Sequence, residues 1–144
     1  MNFEVDRRIQ TSAFFLGDWP LCCVYLKNEA NFPWIILVPR VANVQEIHQL
    51  PDTNHSQLMR EVVALSKIMQ DVFNPDKLNI GALGNIVSQL HLHVVGRFKT
   101  DILWPHGIWQ PNITAVPYPT ENVSILIQRL VNKIGKAAPM ISLT

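Results

Sequence analysis

Gln89-Leu90-His91-Leu92-His93-Val94-Val95-Gly96-Arg97 is the stretch whose reading decides the fold. Polar and apolar residues alternate from Gln89 to Val94, the period of a strand whose successive side chains point to opposite faces. Leu90, Leu92 and Val94 are thereby assigned to a core. Gln89, His91 and His93 share the other face, with neighbours about 7 Å apart. Two imidazoles and an amide in a row do nothing for the burial of a sheet, because Val or Thr would fill that face without desolvating a polar group. The row reads as a chemical site. Before it runs Asn79-Ile80-Gly81-Ala82-Leu83-Gly84-Asn85, a Gly/Asn segment able to bring backbone and amide groups close to a ligand. After it stands Arg97, a fixed cation suited to a phosphate. A histidine strand between such a loop and an arginine points to a nucleotide or phosphate site.

The whole chain sets the frame. Its 144 residues correspond to one domain with a real core. Hydrophobic residues make up 48% and charged residues 16%, which is a globular composition rather than a disordered one. A net charge of +1 favours neither bulk nucleic-acid binding nor electrostatic attachment to a membrane. No apolar run reaches the roughly 18 residues of a membrane span, and the N-terminus has no signal-peptide stretch. The only cysteines, Cys22 and Cys23, are adjacent, so they make neither a staple nor a zinc motif. The expectation is a soluble cytoplasmic protein that uses no cofactor.

Working outward, Thr11–Leu16 and Leu21–Lys27 suit strands, with a turn at Gly17–Pro20 between them. Asn28–Pro33 reads as a hairpin connection, and Trp34–Val38 as a central strand stopped by Pro39. Val44–Leu50 suits a short helix. Asp52–Ser56 offers several N-caps for the main helix, whose apolar stripe runs through Leu58, Val62, Leu65, Met69, Val72 and Phe73. Lys77–Ile80 starts another strand, and the histidine strand is expected over Ile86–Phe98. A Trp/Pro/Gly loop follows at Asp101–Trp109. Thr120–Asn122 caps a last helix with the stripe Val123, Ile125, Leu126, Leu130, Val131 and Ile134, and Ala137–Thr144 reads as a loosely held tail. These elements describe an α+β fold with a largely antiparallel sheet of about five strands. Residues 1–110 are expected as the domain and 111–144 as a C-terminal extension carrying a helix.

The residue types permit two chemistries. A neutral histidine whose second ring nitrogen is held by an acceptor is a competent nucleophile towards phosphorus, and main-chain carbonyls lie close at hand on a strand. His91 is the candidate. His93 is placed to donate to a phosphate oxygen or to pass a proton to the leaving group, and Gln89 to position a ring or a phosphate oxygen. Asn85 is a further donor. His-x-His also supplies two metal ligands, yet a third from His48, His55, His106 or a carboxylate has no recognisable spacing. No metal is assigned.

Gln89–Val95 resembles the motif of the histidine triad (HIT) family, His-φ-His-φ-His-φ-φ with φ apolar: His91 and His93 match the second and third histidines, and every φ position matches. The Asn/Gly loop, the Pro33 hairpin entering an Ile/Leu/Val strand that ends in Pro39, and the main helix follow in the family's order over roughly residues 10–100. Asp101–Trp109 is similar to the Trp/Pro stretch of short bacterial HIT-domain proteins. The resemblance implies an antiparallel α+β domain paired as a homodimer, acting on the α-phosphate of a purine nucleotide through a nucleotidyl-histidine intermediate, without a membrane or a stable nucleic-acid partner. Dinucleoside polyphosphates and nucleoside phosphoramidates are the implied substrates. It places His91 as nucleophile and His93 beside the phosphate. Asn28 falls near the ribose-contacting position, and Asn79 and Asn85 fall near polar loop positions that touch the phosphate or leaving group. Gln89 stands where the family has its first histidine. An amide keeps hydrogen bonding but cannot titrate, so an enzyme and a nucleotide-binding module with little turnover are both compatible with the pattern.

Overall fold

A computed structural model describes residues 2–137 and residue 139. One five-stranded antiparallel sheet organises the chain, in the order β1-β2-β3-β5-β4. Its strands are β1 (Ala13–Asp18), β2 (Cys22–Lys27), β3 (Trp34–Pro39), β4 (Lys77–Gly81) and β5 (Leu92–Arg97). Around it lie α1 (Arg7–Ser12), α2 (Asp52–Phe73) and α3 (Thr120–Ala137), with a single 3-10 turn at Ile47–Gln49. The α+β architecture and the central place of Trp34–Pro39 agree with the sequence reading. No described helix is long and apolar enough to cross a membrane.

Strand alternation divides the molecule into two faces. Cys22, Val24, Leu26, Ile35, Leu37, Leu92 and Val94 point to one face and meet Leu58, Val62, Leu65 and Met69 of α2 in the main core. Leu90 joins them although it lies outside the ladder. Cys23, Tyr25, Ile36 and Val38 point to the other face, where Val5 and Ile9 of the N-terminal segment cover them. The histidines lie on this second face. Ile36 pairs with His93 in the β3–β5 register, so their side chains emerge together.

Several elements are shorter or displaced relative to expectation. The histidine strand begins at Leu92, not Ile86. Its partners run out: the last pair with β3 is Leu37–Leu92, and the last with β4 is Gly81–His93. The Leu90 N–H turns instead to the Val44 carbonyl, at 2.9 Å. Thr11 and Ser12 complete α1 rather than opening β1; Asp6 caps that helix by accepting from the Arg8 N–H at 2.9 Å. The expected helix at Val44–Leu50 shrinks to the 3-10 turn. Helix α2 starts at Asp52 behind Pro51, with no side-chain cap, and ends at Asn74 in the left-handed conformation. On α3 the buried residues are Val123, Leu130 and Ile134, while Ile125 and Val131 are exposed. The helix touches the core along a narrower stripe than its apolar residues suggest. The expected tail lies outside the described residues apart from Ala137 and Pro139.

One buried carboxyl ties the layers together. Glu61 of α2 is fully buried and accepts from the backbone N–H groups of Leu21 and Cys22 at 2.9 and 2.8 Å. Gln57 donates to the same group at 2.7 Å. These contacts fix the entry to β2 against α2. An unsatisfied buried donor costs about 1–3 kcal/mol, so Glu61→Ala is expected to lower the unfolding free energy by about 3 kcal/mol. Urea denaturation followed by tryptophan fluorescence checks this; a loss near zero would contradict it.

Candidate active site

His91 and His93 are both buried, at 6% and 5% exposure, with ring centroids 4.7 Å apart in an edge-on arrangement. Their hydrogen-bond partners settle the proton positions. Nδ1 of His91 lies 2.6 Å from the Gln89 carbonyl. A carbonyl only accepts, so Nδ1 carries the hydrogen and donates it. In the neutral ring Nε2 is then the bare nitrogen, with its lone pair free. It has no hydrogen-bond partner among the described residues.

His93 has the opposite tautomer. The Trp34 indole N–H donates to its Nδ1 at 2.9 Å, so Nδ1 is bare. Nε2 lies 3.0 Å from the Leu83 carbonyl and must donate. Both ring nitrogens are engaged, and the ring is neutral. Burial is the largest cause that holds its pKa down at about 4. Trp34 reaches His93 diagonally across the β3–β5 ladder, a separation that aromatic side chains span. Trp109 closes the cluster, edge-on to His93 at 5.4 Å and to Trp34 at 6.3 Å. The loop before β5 packs against His91 through Gly84. A Cβ there would stand 2.7 Å from the Val87 carbonyl oxygen and 3.5 Å from Cε1 of His91, so a side chain would displace the turn.

The other expected site residues are distributed differently. The Gln89 side chain bonds the N-terminal segment rather than an imidazole, accepting from the Asp6 N–H at 2.8 Å and donating to the Glu4 carbonyl at 2.8 Å. Its contribution to His91 comes through the main-chain carbonyl, which any residue supplies; the amide anchors the N-terminal segment over the second face. Arg97 is not a phosphate contact in this structure. It is 1% exposed, its Nε and Nη2 donate to Asp101 at 2.8 and 3.0 Å, and Nη1 donates to Asn79 at 2.9 Å. Phe32 and Trp104 flank the guanidinium. Asn79 is thereby committed to the same buried pair. Burial alone would raise the Asp101 pKa; bonds from Arg97 and from the Phe98 and Leu103 N–H groups hold it at about 2. Asn28 accepts from the Tyr118 N–H at 2.9 Å. Beside it, Glu29 accepts from the Val116 N–H at 2.5 Å, which straps the segment before α3 onto the hairpin. Asn85 is exposed in the loop.

Trp34 as a tautomer-fixing donor is the residue that sequence reading missed. The sequence placed it only in the central strand, because its reach to His93 depends on a strand register that local pattern does not carry. A cavity of about 220 Å³ opens beside the cluster, lined by Lys27, Glu29, Phe32, Trp34, Ile108 and Trp109 among others. A larger hollow of about 850 Å³ between α2 and α3 contains none of the expected site residues. The smaller one abuts the chemistry. No group of three or more His, Cys, Asp or Glu side chains suited to a metal occurs among the described residues.

Two buried imidazoles, each held by a main-chain carbonyl, stand together where β5 begins on an antiparallel α+β domain. The HIT-domain family model matches residues 8–100. Among solved structures, the chain is similar to a histidine triad protein of Marinobacter aquaeolei, at 38% identity and TM-score 0.90, covering 96% of this chain and 100% of that one. It is likewise similar to histidine triad proteins of Bradyrhizobium japonicum (34%, TM-score 0.89, 93% and 99% covered) and Sinorhizobium meliloti (34%, 0.86, 91% and 96%). No curated protein matches. The chain belongs to the histidine triad family, whose members are in general nucleotide hydrolases and transferases.

The low pKa of His93 couples the site to stability. The unfolded chain takes up a proton on this residue below about pH 6.5, whereas the folded chain does so only near pH 4. Its neutral burial therefore stabilises fully above pH 6.5, and that contribution is lost as pH falls towards 4, by up to about 3 kcal/mol. The depressed carboxyls Asp6 and Asp101, both at about 2, act below that window. The thermal midpoint of the native chain should fall between pH 6.5 and 4 more steeply than that of His93→Leu. Equal slopes in the two proteins would contradict the assignment.

Proposed function

We propose that this protein transfers or hydrolyses a nucleotidyl group at an α-phosphate, with His91 as the nucleophile. The observation that carries the reading is the Nδ1–H to Gln89 carbonyl bond of 2.6 Å, which leaves Nε2 of the neutral ring bare. In the first half-reaction the Nε2 lone pair attacks the α-phosphorus. The bond from phosphorus to the leaving group breaks with its electron pair going to that group, and a nucleotidyl-histidine forms. Positive charge developing on the ring is stabilised through Nδ1–H on the Gln89 carbonyl. Water, or another acceptor, then attacks phosphorus. The P–N bond breaks, its electron pair returns to Nε2, and the attacking water releases its proton to bulk solvent.

The nucleoside fits the cavity of about 220 Å³, where Phe32, Trp34 and Trp109 offer aromatic walls. Lys27, whose pKa is lowered by burial, stands in the same wall and donates to Ser12 at 3.1 Å. The substrates that suit this arrangement are dinucleoside polyphosphates and nucleoside phosphoramidates. Gln89 takes no part in proton handling, and no first-position histidine is needed to orient His91, because the main chain does that.

Intact-protein mass spectrometry after a neutral quench tests the reading. Incubation with a dinucleoside polyphosphate should add one nucleotidyl mass to the native chain and none to His91→Ala, with turnover lowered at least about 10³-fold in the variant. Equal turnover by the two proteins, or an adduct that survives in His91→Ala, would refute it. Retained nucleotide binding without adduct or turnover in the native chain would instead establish a binding module.

A further inference from the structure

The charged side chains that line the cavity of about 220 Å³ are Lys27 and Glu29. Lys27 ends β2 on the face of Cys23 and Tyr25, the one that carries the histidines. Leu26 pairs with Ile35, and Trp34 with Val95, so Lys27 stands beside Trp34 and two strands from β5. His93 lies two residues further along β5, which puts its Cα about 12 Å from that of Lys27 by ordinary strand spacing. His91 is farther still. Nζ of Lys27 sits over Trp34, 5.7 Å from the ring centroid, and Trp34 in turn meets His93. Lys27 is thus at the nucleoside end of the site rather than at the attacking ring. It donates one hydrogen to Ser12 Oγ at 3.1 Å, while the Ser12 hydroxyl gives its own to the Arg8 carbonyl at 2.7 Å. Lys27 makes no ion pair among the described residues. Glu29 is buried, and its two oxygens already accept from Asn31 at 2.9 Å and from the Val116 N–H at 2.5 Å. The neighbouring cations are committed elsewhere: Arg8 to Asp6 and the Ile86 carbonyl, Arg97 to Asp101 and Asn79.

What remains is a half-buried ammonium with two hydrogens unbonded, in a cavity wall and without a bonded counter-ion. Taking a cation out of water is costly unless an opposite charge meets it. A ribose hydroxyl or a base nitrogen offers an acceptor but no charge. From this juxtaposition of an unpaired Lys27 with a nucleoside-sized cavity, remote from His91, we infer that the nucleotide bound here carries a second phosphate on its ribose, which Lys27 receives. The inference rests on the nucleotide reading of the site given above. A phosphate on the 2′ or 3′ oxygen stands on the sugar edge away from the 5′ carbon, so it lies apart from the α-phosphate that His91 attacks. Two N–H groups of Lys27 bond its oxygens, and such charge-assisted bonds are about twice as strong as neutral ones. Lys27 acts as a specificity-determining residue. It selects the sugar and leaves the chemistry at phosphorus to His91.

The test is a set of dissociation constants at fixed pH and ionic strength, measured by calorimetry on the full chain. The probes are the 5′-monophosphate, the 2′,5′-bisphosphate and the 3′,5′-bisphosphate of adenosine, with the guanosine series in parallel. One of the two bisphosphates should bind the native chain about 10-fold or more tighter than the monophosphate of the same nucleoside. In Lys27→Met that advantage should vanish while the monophosphate affinity stays within about twofold, and Lys27→Arg should keep most of it. Whichever bisphosphate gains identifies the oxygen that bears the phosphate. No gain for either in the native chain would overturn the inference, whatever the variants do. An advantage that survives in Lys27→Met, with all three probes weakened alike, would overturn it too, because Lys27 would then be a packing or hydroxyl contact. Binding needs no attack at phosphorus, so the measurement separates this inference from the reaction proposed above. A monophosphate that binds without preference for a second phosphate sinks the inference alone. Failure of every probe to bind the native chain sinks the nucleotide reading and this inference with it.

Discussion

The hydrogen bond between Nδ1–H of His91 and the Gln89 carbonyl is the constraint on which the site depends. A buried imidazole must satisfy at least one nitrogen or bear a desolvation cost. Here the acceptor is main chain, two residues upstream, where β5 has not yet begun and the carbonyl is not committed to a ladder. That local break in pairing gives His91 its orientation. Extending the strand by three residues to Gln89 would place the same carbonyl in competition with a neighbouring strand. The missing rungs before Leu92 thus serve the orientation of His91.

A second constraint follows from placing another imidazole 4.7 Å away. Two rings able to become cations would oppose each other's protonation, and burial opposes it further. The structure resolves this by giving His93 a donor at one nitrogen and an acceptor at the other, so that its neutral form is fully bonded. Trp34 is suited to the first role because an indole N–H can only donate. The loop that carries Leu83 and Gly84 is held by the second bond, and the aromatic contact with Trp109 brings the segment after β5 into the same cluster. Positive charge is handled separately. Arg97 is buried against Asp101 and Asn79, where removing one partner would leave an uncompensated charge.

The alternation of Gln89–Val94 made the two-faced strand legible, and the apolar half of that reading holds residue by residue in the core. The central β3 and the main helix were legible for the same reason: their periodicities are local and strong. Strand ends were not, since a strand stops where its neighbours stop, and neither the Leu37–Leu92 nor the Gly81–His93 pair is visible from one segment. The motif and its chemistry singled out His91, and the structure places it beside His93 on the second face. Gln89 was placed on the right face, but its amide bonds residues some 83 positions away in sequence, a contact no local pattern encodes. Arg97 misled for a related reason. A strand-end arginine reads as exposed until Asp101 and Asn79 are seen to close around it.

The central claim is that two adjacent histidines hold opposite neutral tautomers, one with Nε2 bare for attack and one with Nε2 protonated and both nitrogens engaged. Nitrogen-15 NMR of the imidazole rings in the unliganded protein, at neutral pH and with each histidine assigned by substitution, reads this directly. The account predicts a pyrrole-type Nδ1 and a pyridine-type Nε2 for His91, and the reverse for His93. The same tautomer in both rings, or a doubly protonated His93, would contradict it.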